Sequence, residues 1–311
     1  MGMPITTFSI VVGTKACNGK CPFCVSAMTG FDALPACRAI NEPRFTKAAR
    51  LAQLGNSTTV LMTGKGEPLL YPDEVAKYLL LLQPWNFPMI EIQTNALQIG
   101  YIAQGVPAKA GKLTRHTLEM WHSSGLNTIA ISVVGVKPEH NRLVYTDDYP
   151  DLAATVALLH DIGFSVRLCV MMQKGFVDGP ETINHVIDFC QTNDVEQLTI
   201  RPIRRPEKSA SGQHADYTRK HGMTVRQIRA VKRWLDGRRW GPWHCRGAGT
   251  RLLTLRHGDT AVARVYDVRG QNIALADCLT VNSDSDAIRT LIFYSDGRLT
   301  FDWQYPGARL L

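Results

Sequence analysis

The sequence predicts an α/β fold: a partial (β/α)6 TIM-like barrel followed by a small, mostly β C-terminal extension. Up to residue 203, short apolar or β-branched runs alternate with amphipathic segments of helical length, which gives six strands. Strands that alternate with helices form a parallel sheet with helices packed on it. Six units fit an open barrel better than the closed barrel of eight. After residue 205 the alternation ends, and short strands are separated by turns.

The boundaries of the predicted elements come from β-branched runs, helix caps and glycine or proline breaks. The six strands are predicted at residues 6–12, 58–62, 89–94, 128–134, 165–171 and 197–203. Helices are predicted at residues 46–54, 73–82, 113–123, 152–162 and 181–192. Pro72 lies at the start of the second helix, where a missing N–H is tolerated, and Gly163 ends the fourth. Together these elements predict a core barrel over residues 1–205.

The remaining residues, 206–311, are predicted to form a basic loop, a helix and a β extension. Residues 206–222 are polar and are predicted as a loop. Residues 224–235 have helical periodicity, with Thr224 as the N-cap and Gly237 after the end. Four apolar residues of this helix are expected to face the protein body: Val225, Ile228, Val231 and Leu235.

Positive charge is concentrated in this extension. The chain has a formal net charge of +8, and residues 201–240 alone hold twelve Lys or Arg against three Asp or Glu. Arg226, Arg229 and Arg233 recur at helical spacing and so share a face. Because guanidinium groups bind phosphate in a bidentate way, this face, or the adjoining residues 201–205, is expected to bind an anionic substrate. The alternative is a solvated basic surface without a ligand.

Composition excludes several classes of protein. Hydrophobic residues make up 45% and charged residues 20% of the chain, as in globular rather than disordered proteins. No apolar run approaches the roughly 20 residues that span a bilayer. The first residues lack the basic and apolar regions of a secretory signal. We therefore expect no membrane association and a cytoplasmic location.

Three of the eight cysteines lie in one short segment with C-x3-C-x2-C spacing: Cys17, Cys21 and Cys24. Thiolates so close together suit an iron–sulfur cluster or zinc. A structural zinc site takes four protein ligands, and the next cysteine, Cys37, is too distant for finger spacing. Three ligands therefore favour a 4Fe–4S cluster with one open iron, and zinc remains the alternative. No role is assigned to Cys37, Cys245 or Cys278.

The cysteine spacing resembles the cluster motif of the radical S-adenosylmethionine (SAM) superfamily. Phe23, directly before the third cysteine, matches an aromatic position of that motif. The segment Thr63-Gly-Lys-Gly-Glu-Pro68 resembles the superfamily's Gly-Gly-Glu-Pro motif, with Lys65 in place of the first motif glycine. The resemblance covers about residues 5–205. It implies a (β/α)6 partial barrel that binds a 4Fe–4S cluster and SAM.

The resemblance also implies a SAM site at the C-terminal ends of the strands. Glu67 and neighbouring backbone groups would hold the SAM amino group. Asn95 and Ser132 would reach the ribose, and Arg167 would lie near the SAM carboxylate. The full set expected to bind the cofactor is Phe23, Thr63, Gly64, Gly66, Glu67, Asn95, Ser132, Arg167 and Arg201.

Strand alternation predicts which side chains share a face of the sheet. Glu91, Gln93 and Asn95 share one, and so do Arg167 and Cys169. Because helices cover the outside of such a barrel, the polar face is expected to point inward. A thiol at Cys169 is then a candidate catalytic group that returns a hydrogen atom to a substrate radical. The alternative is a small buried side chain without chemistry.

The resemblance implies an enzyme that reductively cleaves SAM to methionine and a 5′-deoxyadenosyl radical, which abstracts hydrogen from a substrate. Flavodoxin or ferredoxin would be the electron donor. Residues 197–203 are similar to the branch that contains the molybdenum-cofactor GTP cyclase and peptide-modifying enzymes, although that cyclase's second-cluster cysteines are not matched. The basic segment favours a phosphorylated or nucleotide-like small molecule as substrate, and a hydrogen-donating Cys169 favours a peptide. A non-catalytic iron–sulfur protein that binds nucleic acid is the third hypothesis.

Overall fold

The computed structural model describes residues 5–29, 34, 39–206, 208–238, 249–257, 260–276, 288–303, 305 and 307–311. The strands are β1 (Thr7–Val11), β2 (Thr59–Thr63), β3 (Met89–Thr94), β4 (Thr128–Val133), β5 (Ser165–Met172), β6 (Gln197–Pro202), β7 (Gly249–His257), β8 (Thr260–Val268), β9 (Gln271–Ala276), β10 (Thr290–Phe293) and β11 (Leu299–Thr300). The helices are α1 (Val25–Met28), α2 (Glu42–Leu54), α3 (Pro72–Leu82), α4 (Leu97–Ala103), α5 (Arg115–Ser123), α6 (Pro138–Val144), α7 (Leu152–Ile162), α8 (Pro180–Thr192), α9 (Gly212–His221) and α10 (Val225–Leu235).

All of these strands belong to one sheet, in the order β11-β10-β1-β2-β3-β4-β5-β6-β9-β8-β7. In this order, every neighbouring pair from β10–β1 to β6–β9 is parallel. Strands β11, β8 and β7 pair antiparallel. The sheet ends at β11 and β7, which are not paired with each other, so the barrel is open. The predicted α/β partial barrel with C-terminal β strands is confirmed.

The C-terminal strands extend the barrel sheet at both edges. Strand β9 pairs with β6, the last strand of the β/α alternation, while β10 pairs with β1, the first. The sequence boundary at residue 205 therefore marks a change of pattern within one continuous sheet.

The two faces of the core strands differ in chemistry. One face is buried and apolar, because α2, α3, α5, α7 and α8 cover it; its residues include Phe8, Ile10, Val60, Met62, Ile92, Ile131 and Leu168. The opposite face lines the lumen of the barrel and is largely polar; its residues include Ser9, Glu91, Gln93, Ser132, Arg167 and Thr199. Gln93 Nε2 donates to Ser132 Oγ at 3.3 Å across β3 and β4, which places both on the inner face.

Most predicted boundaries agree with the structure within two residues, and one predicted loop is wrong. Residues 206–222 were predicted as a loop, but α9 occupies Gly212–His221. The helix is mostly polar, so its sequence shows no apolar periodicity. Its buried residues are Ala215 and Thr218. Helix α2 also begins earlier than predicted, because Asn41 caps it by accepting from the N–H of Arg44.

The prediction for the basic helix is correct in part. Thr224 caps α10 through a capping box with Gln227, as expected for an N-cap. Val231 and Leu235 are buried, but Val225 is 64% exposed, and Trp234 takes its place in the buried face. Val225 lies in the first turn, before the helix meets its packing partners α8 and β7.

No helix within the described residues is both long and apolar enough to cross a membrane.

Candidate functional site

The loop after β1 carries the three clustered cysteines. Cys17 is exposed, while Cys21 and Cys24 are half-buried. Cys24 precedes α1, and its N–H donates to the carbonyl of Cys21 at 3.2 Å, which closes a turn between the two. Burial raises the pKa of the Cys21 thiol well above its ordinary value, and the nearby thiols of Cys24 and Cys17 raise it further. The loop therefore gathers three sulfurs whose charges interact.

The glycine-rich loop after β2 docks directly on this cysteine loop. The N–H of Glu67 donates to the carbonyl of Ala16, the residue before Cys17, at 2.9 Å. A Cβ at Gly66 would lie only 1.9 Å from that carbonyl oxygen, so the backbones approach too closely for a side chain. Gly64 is also tight, since its Cβ would lie 3.1 Å from the carbonyl oxygen of Val12. Sequence analysis assigned these residues to one site, and the structure brings them together.

The carboxylate of Glu67 is fully engaged with the protein. Its Oε1 accepts from Leu69 N at 3.0 Å and from Thr94 Oγ1 at 2.6 Å, and its Oε2 accepts from Asn95 N at 2.9 Å. Burial raises the pKa of this carboxyl, and the three hydrogen bonds oppose the rise. In this arrangement Glu67 positions the ends of β2 and β3. The contact with the SAM amino group that the family resemblance implies stays a prediction; in the structure the carboxylate accepts from these three donors.

Asn95 connects the end of β3 to the cysteine loop. Its Nδ2 donates to Asn18 Oδ1 at 2.8 Å and lies 3.9 Å from Cys17 Sγ, while its Oδ1 accepts from Leu97 N at 3.0 Å. The expected contact with a ribose remains a proposal. The structure places Asn95 beside the first cysteine of the motif.

Lys65, which departs from the resembled motif, is buried in the same loop. It is 8% exposed, and its Nζ lies 5.6 Å from the ring centroid of Trp303. Burial lowers the pKa of Lys65 to about 6; the thiol of Cys24 opposes this shift and Lys15 adds to it. An amine that is cationic only below a pH of about 6 therefore lies close to the third cysteine.

Inside the barrel, charged residues meet on the inner faces of β3, β5 and β6. Arg167 forms an ion pair with Glu91 and lies close to the side chain of Cys169. Arg201 lies close enough to Glu91 to lower the pKa of that carboxyl, although burial raises it on balance. The sequence analysis assigned Arg167 to the SAM carboxylate. In the structure Arg167 is paired with Glu91. Strand alternation placed Glu91 on the inner face, but no function was predicted for it.

Tyr145, which was not predicted from the sequence, lies near both Cys169 and the cysteine loop. Cys169 is fully buried on β5, paired in register with Ser132 and Thr199. Tyr145 is 3% exposed and lies close enough to Cys21, Cys169 and Cys17 for their charges to raise its pKa further than burial alone. Its carbonyl accepts from Lys20 N at 3.1 Å. It follows α6, which the sequence did not predict.

The remaining predicted site residues are Phe23, in the cysteine loop, and the three arginines of α10. Phe23 is buried and packs against Tyr217 of α9, with 6.3 Å between the ring centroids, so it fixes that helix on the cysteine loop. Arg226, Arg229 and Arg233 are exposed on α10, which packs on α8 and β7 in the outer helical layer. The structure does not bring these arginines to the lumen. Cys37, Cys245 and Cys278 lie outside the described residues.

The donor set fits an iron–sulfur cluster. Among the described residues, no three His, Cys, Asp or Glu side chains converge as ligands of a single metal ion. A cluster does not require that convergence, because each cysteine binds a separate iron. The close contact of Gly66 with Ala16, and of Asn95 with Cys17, leaves the thiols on a braced loop at the C-terminal ends of the strands. In open parallel sheets and barrels, this is the end at which ligands bind.

Comparison with known proteins agrees with this geometry. The family model of the radical SAM superfamily matches residues 11–192. Streptococcus suis SuiB bound to S-adenosylmethionine is similar in structure, with a TM-score of 0.60, 15% sequence identity and coverage of 100% of this chain. The same protein bound to its precursor peptide SuiA has a TM-score of 0.58 and 14% identity, with 100% of this chain covered.

Partial coverage and low sequence identity limit what can be concluded from this structural similarity. The chain spans 63% of the SuiB chain in the SAM-bound structure and 62% in the peptide complex. Methylornithine synthase (PylB) has a TM-score of 0.48 and 16% identity, with coverage of 75% of this chain and 63% of its own. No curated protein sequence matches this chain. At these identities the solved structures show the shared fold, and the family match extends over more than half of the sequence.

Proposed function

Because the chain belongs to the radical SAM superfamily, we propose that it reductively cleaves SAM and uses the resulting radical to abstract hydrogen from a substrate in the barrel lumen. Membership implies a 4Fe–4S cluster and SAM as cofactors. When bound, they supply a 5′-deoxyadenosyl radical after one electron arrives from a donor such as flavodoxin or ferredoxin. The observation that carries this proposal is the docking of the Gly66–Glu67 loop and Asn95 on the segment around Cys17. Because the members of this superfamily are enzymes, membership also argues against the alternative of a non-catalytic protein that binds nucleic acid.

The chain's residues would divide the work as follows. Cys17, Cys21 and Cys24 would hold the cluster. The loop from Thr63 to Glu67 would present backbone groups to SAM, because Gly64 and Gly66 allow a close approach. Ser132 would face the cofactor from the inner side of β4.

The test of this proposal is reductive SAM cleavage by anaerobically reconstituted protein. Replacing Cys17, Cys21 and Cys24 together with Ala is expected to remove about four irons per chain and all formation of 5′-deoxyadenosine. Cys190→Ala is the matched control, because Cys190 is buried on α8 in the hydrophobic core. Stoichiometric zinc without iron or sulfide in the wild-type protein would contradict the proposal.

For the substrate, we propose an anionic, phosphorylated or nucleotide-like small molecule. Arg167 is paired with Glu91, and Arg201 lies near the same carboxylate without an ion pair to it, so positive charge is left inside the barrel. Formation of 5′-deoxyadenosine should therefore increase on addition of nucleotides or phosphorylated metabolites. Transfer of deuterium from a deuterated candidate into 5′-deoxyadenosine identifies the substrate, and stimulation by peptides alone contradicts this choice.

Peptide modification is the second candidate, and Cys169 favours it. Its buried thiol lies on the inner wall, close to Tyr145 and so to the cysteine loop. Transfer of the Sγ hydrogen atom to a substrate radical would leave a thiyl radical, which one electron from the donor and one proton from water restore to the thiol. Cys169→Ala should then still cleave SAM but stall product formation. An unchanged product yield in this variant would assign Cys169 to packing.

A further inference from the structure

The inner wall of the barrel holds an isolated charge cluster. Along β1 to β6, the inward-facing residues are mainly Ser, Thr, Gln and small apolar side chains. Three charged residues interrupt them: Glu91 on β3, Arg167 on β5 and Arg201 on β6. Glu91 is 3% exposed, and the Arg167 side chain is 21% exposed. The cluster therefore holds two cations against one anion within a largely buried space.

The hydrogen-bonding capacity of this cluster is incomplete. The Nε atoms of both Arg167 and Arg201 are buried and have no hydrogen-bond partner among the described residues. Arg167 at least makes an ion pair with Glu91. The Arg201 side chain acts on Glu91 electrostatically, but no hydrogen bond or ion pair joins that side chain to another described residue. Buried donors without partners are rare in native proteins, and they indicate a ligand or ordered water.

The strand register places the cluster around Cys169. Cys169 follows Arg167 by two residues on the same strand and pairs with Thr199. Arg201 follows Thr199 by two residues and pairs with Met171. Along the strand direction, Arg167 therefore lies two residues before Cys169, and Arg201 lies two residues beyond it on the neighbouring strand. Tyr145 lies near Cys169 and the cysteine loop, on the side where hydrogen abstraction is proposed.

We propose that Arg201, supported by the Arg167–Glu91 ion pair, binds an oxyanion of the substrate, a carboxylate or phosphate group, inside the barrel. Guanidinium donors match the paired oxygens of these groups, and the unbalanced positive charge favours an anion in a low-dielectric cavity. The anion anchors the substrate beside Cys169. This inference rests on the proposed function insofar as the substrate occupies the lumen. It places the anion site on the inner wall instead of on α10.

The test uses the reconstituted holoprotein with inorganic phosphate and acetate as probes, at constant ionic strength set with NaCl. Arg201→Gln removes the charge, and Arg50→Gln is the control because Arg50 is exposed on α2, in the outer helical layer. Wild type and Arg50→Gln should show a saturable rise in the thermal midpoint with at least one probe. Arg201→Gln should need a concentration at least about tenfold higher. An equal response in all three proteins overturns the inference.

A second readout separates the substrate from SAM as the source of the anion. Because the family resemblance also implies a role for Arg201 in cofactor binding, the Kd for SAM is measured beside the probe response in Arg201→Gln and wild type. If SAM binding weakens while the phosphate and acetate responses do not change, the guanidinium serves SAM, and the inference is wrong. If Arg201→Gln does not fold, Arg201→Lys keeps the charge without the paired donors and should still weaken the probe response; a wild-type response overturns the proposal. Absence of SAM cleavage in wild type would instead contradict the proposed function.

Discussion

The carboxylate of Glu67 accepts a hydrogen bond from the backbone N–H of Asn95, with 2.9 Å between Oε2 and N. This bond joins the loop after β2 to the end of β3. Asn95 in turn donates to Asn18, between the first two cysteines of the cluster motif. The buried carboxylate therefore couples the glycine-rich loop and the cysteine loop through one shared residue.

Replacing Glu67 should affect folding as well as cofactor binding. Glu67→Ala leaves the donors of Leu69, Thr94 and Asn95 buried without an acceptor. Buried unsatisfied donors cost about 1–3 kcal/mol each, so the free energy of unfolding should fall by at least about 2 kcal/mol. Urea unfolding measures this change, and calorimetry of SAM binding should show weaker affinity. Glu181→Ala, at an exposed position in the first turn of α8, is the control. Wild-type stability in Glu67→Ala would contradict the coupling described above.

The close approach of the two loops predicts that Gly66→Ala disrupts the cofactor site. The new Cβ would lie 1.9 Å from the Ala16 carbonyl oxygen, so the loops must separate next to Cys17. Iron content after reconstitution and SAM affinity should both fall. Gly179→Ala is the matched control, because a Cβ there meets no atom within 4 Å. If both variants retain full iron and SAM binding, the contact between the loops is not required for the site.

Lys65 should influence the reduction potential of the cluster. Its amino group is buried near Cys24 with a pKa lowered to about 6, so it is positively charged below that pH, and positive charge close to an iron–sulfur cluster stabilises the reduced, more negative form. Lys65→Met should therefore shift the midpoint potential at a pH below about 6 to a more negative value, as measured by a redox titration followed by electron paramagnetic resonance. Lys65→Arg keeps the positive charge and should leave the potential close to that of wild type. Lys77→Met, which removes an exposed ion pair with Glu42, is the control. Equal potentials in all four proteins would show that the charge does not reach the cluster.

Sequence pattern predicted the barrel because its elements are strongly periodic. The bounds of β3 and α7 were predicted to the residue, since β-branched runs and a glycine stop mark them clearly. Helix α9 was missed because it is stabilised by contacts from outside its own sequence. Phe23 packs against its Tyr217, and its Thr218 lies 3.8 Å from Met28 Sδ. Such tertiary contacts leave no local periodicity.

Within the site, motif spacing predicted which residues belong together but not which side chains they contact. The cysteine and glycine motifs indicated that Cys17 and Glu67 belong to one site, and the structure places their loops in contact. The ion pair between Glu91 and Arg167 was not predicted, although alternation placed both on the inner face. Alternation defines which face a side chain points to, but not which neighbour it meets across strands that are far apart in sequence. Tyr145 was missed because it follows α6, a helix that the sequence did not predict.

The placement of α10 predicts that its basic face is separate from the SAM site. Arg226, Arg229 and Arg233 are exposed, and the buried side of the helix contacts α8 and β7. Reversing all three to Glu should therefore leave SAM affinity and uncoupled SAM cleavage unchanged. Exposed substitutions of this kind usually change stability by about 0.5 kcal/mol or less, so the thermal midpoint should also remain close to that of wild type. Arg201→Gln is the comparison, because only that variant is expected to lose oxyanion binding in the lumen. A steep, salt-sensitive rise in the KM of an anionic substrate in the triple variant would instead show that the α10 face docks the substrate.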